Sequence, residues 1–262
     1  MKKKPELMLK KMTTKGITMV KEKQNCAQKV VEVKDLKKTY FMAGGLSQEV
    51  LKGITFDICA GEFVAIMGHS GSGKSTLMNT LGCLDRPTSG EYILAGEEVS
   101  KLSDDELARV RGKTIGFVFQ NFNLLMKRTI ADNVSMPLLY QGVGRKECYE
   151  RACQMIERVG LKGYADRLPS QLSGGMQQRV AIARALINNP KIIMADEPTG
   201  NLDSQTSDEI MEMFQSLNKE GITIILVTHE PDVAMYAKRL LRIADGVIEY
   251  DGSVKDYFDK NI

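Results

Sequence analysis

From Val30 onward, apolar and polar side chains alternate: Val31 and Val33 against Glu32 and Lys34, then Ile54, Phe56 and Ile58 against Thr55 and Asp57. A period of two gathers the apolar set on one face, so these segments predict antiparallel strands with a single covered side. Glu62-Phe63-Val64-Ala65-Ile66-Met67 is a nearly continuous apolar run, which fits a central strand buried on both faces. After Lys74 the spacing turns helical, with Leu77, Leu81 and Leu84 on one face. Ile192–Ala195 and Ile222–Val227 repeat the buried-strand pattern, and Ile210, Phe214 and Leu217 between them mark an amphipathic helix. Strand, helix, strand is the arithmetic of a parallel sheet. Asp245-Gly246, set between Ile243 and Val247-Ile248, reads as a tight hairpin.

Residues 121–180 lack strand patterning. Ser103-Asp104-Asp105-Glu106 opens a capped helix just before them, and Arg145–Val159 and Gly174–Leu186 read as further helices. The expected organisation is therefore an α/β domain over 28–262, with a core formed by 28–120 and 181–262, an antiparallel β subdomain, and an inserted helical subdomain over 121–180. Residues 1–27 read as a basic, disordered tail.

Composition changes the picture in three places. The chain has 262 residues, 43% apolar and 26% charged, which suits a globular domain with a full core. Its net charge of +3 is uneven: residues 1–23 hold eight lysines and two glutamates, leaving 28 basic and 31 acidic groups elsewhere. A folded part that is slightly acidic argues against a nucleic-acid partner. No apolar run approaches the ~20 residues of a membrane helix, and no apolar stretch follows the N-terminal lysines as a secretory signal would require. The five cysteines, Cys26, Cys59, Cys83, Cys148 and Cys153, form no C-x-x-C pair, and reduced thiols in a cytoplasmic protein are expected.

Candidate chemistry sits where these elements meet. Gly68-His69-Ser70-Gly71-Ser72-Gly73-Lys74-Ser75-Thr76 matches the phosphate-loop pattern in full, between a buried strand and a helix. Glycines let backbone N–H groups wrap a phosphate, and the helix start adds its positive dipole end. Lys74 supplies a charge for the β- and γ-phosphates of a nucleoside triphosphate, and the Ser75 hydroxyl can ligate Mg²⁺. Asp196 ends an apolar strand, in position to hold Mg²⁺, while Glu197 beside it points elsewhere and can act as general base on water. His229 follows the strand ending Val227-Thr228, within reach of a terminal phosphate. Gln120, after Ile115–Phe119, is placed to sense Mg²⁺ and water, and Tyr40 can stack on adenine, with packing at a sheet edge as its rival role. His69 occupies a variable place in the loop and is given no catalytic role. Leu172-Ser173-Gly174-Gly175-Met176-Gln177-Gln178 is a second glycine-containing turn opening a helix.

Taken in order, Tyr40, Gly68–Thr76, Gln120, Leu172–Gln178, Asp196-Glu197, Asn201-Leu202-Asp203 and His229 resemble the nucleotide-binding domain of ABC transporters, over nearly everything from residue 30 to 250. The resemblance implies a P-loop NTPase (RecA-like) core, ATP hydrolysis, and a head-to-tail homodimer formed on ATP binding. In such a dimer Ser173, Gly174 and Gly175 of one subunit cap the phosphate held by the other, and Asn201–Asp203, including Asp203, couple the two sites. Gly82-Cys83-Leu84-Asp85-Arg86-Pro87-Thr88-Ser89-Gly90, with Gly200-Asn201-Leu202-Asp203, is similar to the MacB/LolD/FtsE-type group. Membership there implies a separate integral-membrane permease that docks on the helical subdomain, including Asn121–Met126, and holds the ATPase at the inner face of the membrane. Antimicrobial-peptide or macrolide-type efflux and an FtsE-like mechanical switch that transports nothing remain open alternatives. Met176 departs from the family's usual Gln or Glu. The chain ends soon after the final hairpin, so no regulatory C-terminal domain is expected.

Overall fold

The computed structural model describes residue 26 and residues 28–261. The expectation of a basic tail concerns residues that, Cys26 apart, lie outside these. The chain runs through β1 (Lys29–Phe41), β2 (Ser47–Cys59), β3 (Phe63–Met67), α1 (Lys74–Leu81), β4 (Ser89–Leu94), β5 (Glu97–Glu98), α2 (Asp104–Thr114) and β6 (Ile115–Phe119). It continues with α3 (Ile130–Tyr140), α4 (Arg145–Arg158), α5 (Gly174–Leu186), β7 (Ile192–Asp196), α6 (Ser204–Lys219), β8 (Thr223–Val227), α7 (Pro231–Ala234), β9 (Arg239–Ala244), β10 (Val247–Ser253) and α8 (Val254–Asn261).

Two sheets form. One is antiparallel, in the order β2-β1-β4-β5; the other has six strands in the order β10-β9-β3-β8-β7-β6. In the second sheet β3 pairs in parallel with β8 and β9, and β7 pairs in parallel with β6 and β8; only β10 runs against its neighbour. Apolar runs without alternation thus become strands covered on both sides. Their side chains divide by parity: Phe63 and Ala65 enter one core cluster, Val64 and Ile66 the other. The first cluster packs against α3 to α6; the second joins the large sheet to α1 and the antiparallel sheet. The β9–β10 hairpin turns through Asp245 and Gly246, both at positive φ, as a two-residue turn requires.

Two expectations are corrected. Leu84 does not continue the buried stripe of α1: the helix ends at Leu81, Cys83 turns the chain at φ 52, and Leu84 is half-exposed. Nor are all cysteines reduced, because Cys26 and Cys59 form a disulfide. The antiparallel register that sets Lys29 opposite Cys59 brings the start of β1 beside the end of β2 and closes a gap of 33 residues. Cys83, Cys148 and Cys153 are free, the first two buried.

Candidate active site

Parallel strands deliver their carboxyl ends to one edge, and a crevice there is where an open α/β sheet binds ligands. A cavity of about 680 Å³ opens at this edge. It is lined by Gly68–Gly71 and Gly73–Thr76 after β3, by Asp196 and Glu197 at the end of β7, by Val227 and His229 at the end of β8, and by Val50 of β2. Chain segments as far apart in sequence as Val50 and His229 thus line a single cavity.

The phosphate loop is held tightly from behind. A Cβ on Gly68 would stand 2.2 Å from the Ile243 carbonyl oxygen and 2.5 Å from Ser72 Oγ, so no other residue fits there. Ser72 Oγ is buried without a hydrogen-bond partner among the described residues, and its backbone N–H donates to His69 O at 3.2 Å. Lys74 Nζ donates to the loop's own carbonyls, Gly68 O at 2.7 Å and His69 O at 3.0 Å. α1 begins at Gly73 with no side-chain cap, whereas α2, α3, α5 and α6 are capped by Ser103, Thr129, Ser173 and Asp203. The first-turn N–H groups of α1 are therefore free to meet an anion, and the helix dipole favours one.

In the same cavity, Glu197 is a non-glycine residue at φ 44, a left-handed conformation sparsely used by side-chain-bearing residues and concentrated at functional sites. Its N–H donates to Val227 O at 2.9 Å, which pins the turn to β8. Its Oε1 lies 2.8 Å from His229 Nδ1. An ionised carboxylate only accepts, so in this pairing His229 donates through Nδ1. Burial, and then the Glu197 charge, raise the Asp196 carboxyl above its ordinary value, with Lys74 opposing. Hydroxyl, carboxylate and amide oxygens of Ser75, Asp196 and Gln120 are hard ligands of the kind Mg²⁺ takes.

Not every expected residue lines this cavity. Tyr40 sits at the end of β1 opposite Gln48, two residues from Val50. Gln120 packs against Gly200, whose Cβ would stand 2.6 Å from Gln120 Nε2. Ser173, Gly174 and Gly175 open α5 outside the cavity. Asp203 turns its carboxylate onto its own helix, accepting from Thr206 N at 3.0 Å and Thr206 Oγ1 at 2.6 Å.

Three residues join these segments: Gln178 and Asn201, already part of the two motifs, and Arg184, which belongs to neither. Gln178, fully buried on α5, donates to Pro198 O at 2.6 Å, one residue past Glu197, and to Phe119 O at 3.5 Å. Asn201 donates to Gln120 O and to Asn121 Oδ1, both at 3.0 Å. Arg184 donates to Phe122 O at 2.7 Å and to Asn123 O, two residues held at φ 57 and 50. For Arg184 the local signal was a charged residue on the otherwise buried stretch Val180–Leu186 of α5.

With this geometry in hand, comparison with known proteins decides the family. The ABC transporter family model matches residues 51–200, more than half the chain. The chain belongs to the ABC transporter ATP-binding family. The ABC transporter ATP-binding protein YknY of Bacillus subtilis (strain 168) is 52% identical over 84% of this chain and 95% of its own length. The macrolide export ATP-binding/permease protein MacB of Syntrophobacter fumaroxidans is 56% identical over 87% of this chain, which spans only 32% of that protein. The ATP-binding cassette MJ0796, solved as a dimer in a post-hydrolysis state bound to ADP and Pi, superposes with a TM-score of 0.78 at 44% identity, covering 86% of this chain and 98% of that one. The fold is that of a P-loop NTPase cassette, and the chain is an ATP-binding ABC subunit with ATPase activity. Among the described residues no helix is long and apolar enough to cross a membrane.

Proposed function

We propose that this ABC ATPase closes as a head-to-tail homodimer around ATP and Mg²⁺ and thereby drives a separate membrane permease at the inner face of the membrane. One observation carries the reading: the turn Ser173-Gly174-Gly175 lies outside the cavity that its own phosphate loop lines. A second copy, turned head to tail, supplies it. That MJ0796 was solved as a dimer supports this arrangement.

Within each half, the uncapped start of α1 and Lys74 bind the outer phosphates of ATP, with Gly68, His69, Ser70, Gly71, Ser72, Gly73, Ser75 and Thr76 forming the cradle. Ser75, Asp196 and Gln120 would hold Mg²⁺, whose charge neutralises the phosphate oxygens. Glu197 takes the proton of the attacking water, a contribution of ~10²–10⁴ in rate. His229, hydrogen-bonded to that carboxylate, positions it and lines the same cavity as the phosphate loop. Tyr40 stacks on the adenine.

Residues 121–180 act as the lobe that receives the permease. Leu125, Met126, Leu139, Tyr140 and Tyr149 are exposed there, apolar side chains that a contact with the permease would cover. Arg184 and Asn201 tie the segment after Gln120 to α5 and to the turn before α6, which transmits movement of the lobe to the ATP interface. Relatives named for macrolide export support efflux as the task of the assembly.

Glu197→Gln with Mg-ATP tests the core of this reading. A dimer by size-exclusion chromatography with light scattering, and a membrane subunit recovered with the tagged variant from solubilised membranes, are expected. A chain that stays monomeric with Mg-ATP bound overturns the shared site.

A further inference from the structure

Tyr40 does not stand free at the end of β1. Its hydroxyl donates to Asp85 Oδ2 at 3.0 Å. Lys38, two positions back on the same strand, places Nζ over the ring at 4.9 Å from its centre. The same ammonium donates to Asp85 Oδ1 at 2.6 Å and to Arg86 O at 2.8 Å, and Arg86 N donates to Asp85 Oδ1 at 2.7 Å. The Lys38 side chain is only 12% exposed and that of Asp85 32%, so the pair is largely withdrawn from water. Burial alone would raise the Asp85 carboxyl; Lys38, the Tyr40 hydroxyl and the Arg86 N–H outweigh it and hold the group below its ordinary value. The phenol ring is thus fixed at its tip and covered on a face, yet Tyr40 keeps 38% of its surface exposed.

Asp85 lies four residues beyond the end of α1, the helix whose first residue is Lys74. We propose that Asp85 is a positioning residue for the nucleotide base. With Lys38 it locks the plane of Tyr40 before ATP arrives, and it ties that platform to the far end of the helix that holds the phosphates. The distance between base platform and phosphate loop is then set by α1 and the turn after it, which is tied back to the helix by Leu84 N and Asp85 N donating to Asn79 O at 2.8 and 3.2 Å. A ring ordered in advance loses less freedom on binding, which is the general advantage of preorganisation. This inference rests on the reading of Tyr40 as the surface on which adenine stacks.

The test is isothermal titration of the full chain with ATP and with inorganic triphosphate, which has the phosphates and no base. Asp85→Ala is expected to weaken ATP roughly 3- to 10-fold and to leave triphosphate within about twofold. Tyr40→Phe, which removes only the hydroxyl, is expected to weaken ATP by a comparable factor, and the double variant to bind no more weakly than the weaker single one. Equal loss for triphosphate would make Asp85 a mere support of α1 and overturn the inference. Effects that multiply in the double variant, or no effect of Asp85→Ala on ATP, also overturn it. Tyr40→Ala separates the two levels: if it leaves ATP affinity intact, the base-platform reading itself fails, whereas loss there with none in Asp85→Ala removes only the brace. Should Asp85→Ala not fold, Asp85→Asn, isosteric but uncharged, carries the same comparison.

Discussion

Two helices of this chain, α1 and α5, begin at glycine-containing turns, and their first turns are finished differently. α1 opens at Gly73 with no side-chain cap and faces a cavity of about 680 Å³. α5 opens at Ser173, whose hydroxyl accepts from Met176 N at 3.4 Å, and lies outside that cavity. Both N-termini carry the same partial positive charge. In α1 the donors are kept for an external anion, and in α5 one of them is already answered by the chain itself. Affinity for ATP should therefore belong to α1 and its surroundings, while α5 contributes only once a second chain presents it.

The largest expected effect that bears on this contrast is at Glu197. Glu197→Gln should lower turnover by ~10²–10⁴ with ATP binding retained, since it removes the base and not the α1 cradle. Phosphate release and ATP titration on the same preparation check this. Next, Lys74→Ala should weaken ATP itself by roughly 10- to 150-fold, the worth of a charged hydrogen bond to phosphate; unchanged affinity would break the assignment of binding to α1. Ser173→Ala should leave the affinity of the isolated chain for ATP unchanged and reduce turnover about tenfold. The lost cap should also lower unfolding stability, near the low end of ~0.5–2 kcal/mol because the bond is long. If Ser173→Ala weakened ATP binding by an undimerised chain, α5 would have to reach its own cavity.

A smaller effect sharpens the view of α1 as a rigid scaffold. Burial pushes the Cys83 thiol, just past this helix, up from 9.0 to about 11, with Arg111 opposing. The unfolded chain ionises this thiol near 9 while the folded chain keeps its proton. Stability from Cys83 is thus fully present below pH 9 and lost as pH rises from 9 to about 11, by roughly 2 to 3 kcal/mol. Denaturation at pH 8 and pH 10, with Cys83→Ala as reference, measures it. Equal slopes for the two proteins would mean that the segment opens readily.

The sequence by itself determined the elements and their order. Period-two stretches became β1 and β2, unbroken apolar runs became β3, β7 and β8, and Ser103 and Glu106 formed the capping box of α2. These are local signals, written within a dozen residues, and local backbone preference reads them out directly. Short β4 and β5 carried too little alternation to be seen. The ends of the parallel strands also fixed where Lys74, Asp196, Glu197 and His229 would gather. Only the tertiary structure decided what these residues touch. Asp85 bonds Tyr40 across 45 positions, Gln178 bonds Pro198 across 20, Asn201 bonds Gln120 across 81 and Arg184 bonds Phe122 across 62. Cys26 pairs with Cys59 because of strand register, and Leu84 is left half-exposed because the helix stops short of it. Side-chain partners of that kind depend on how the elements pack, and packing geometry is a property of the whole core, with no periodic trace along the chain.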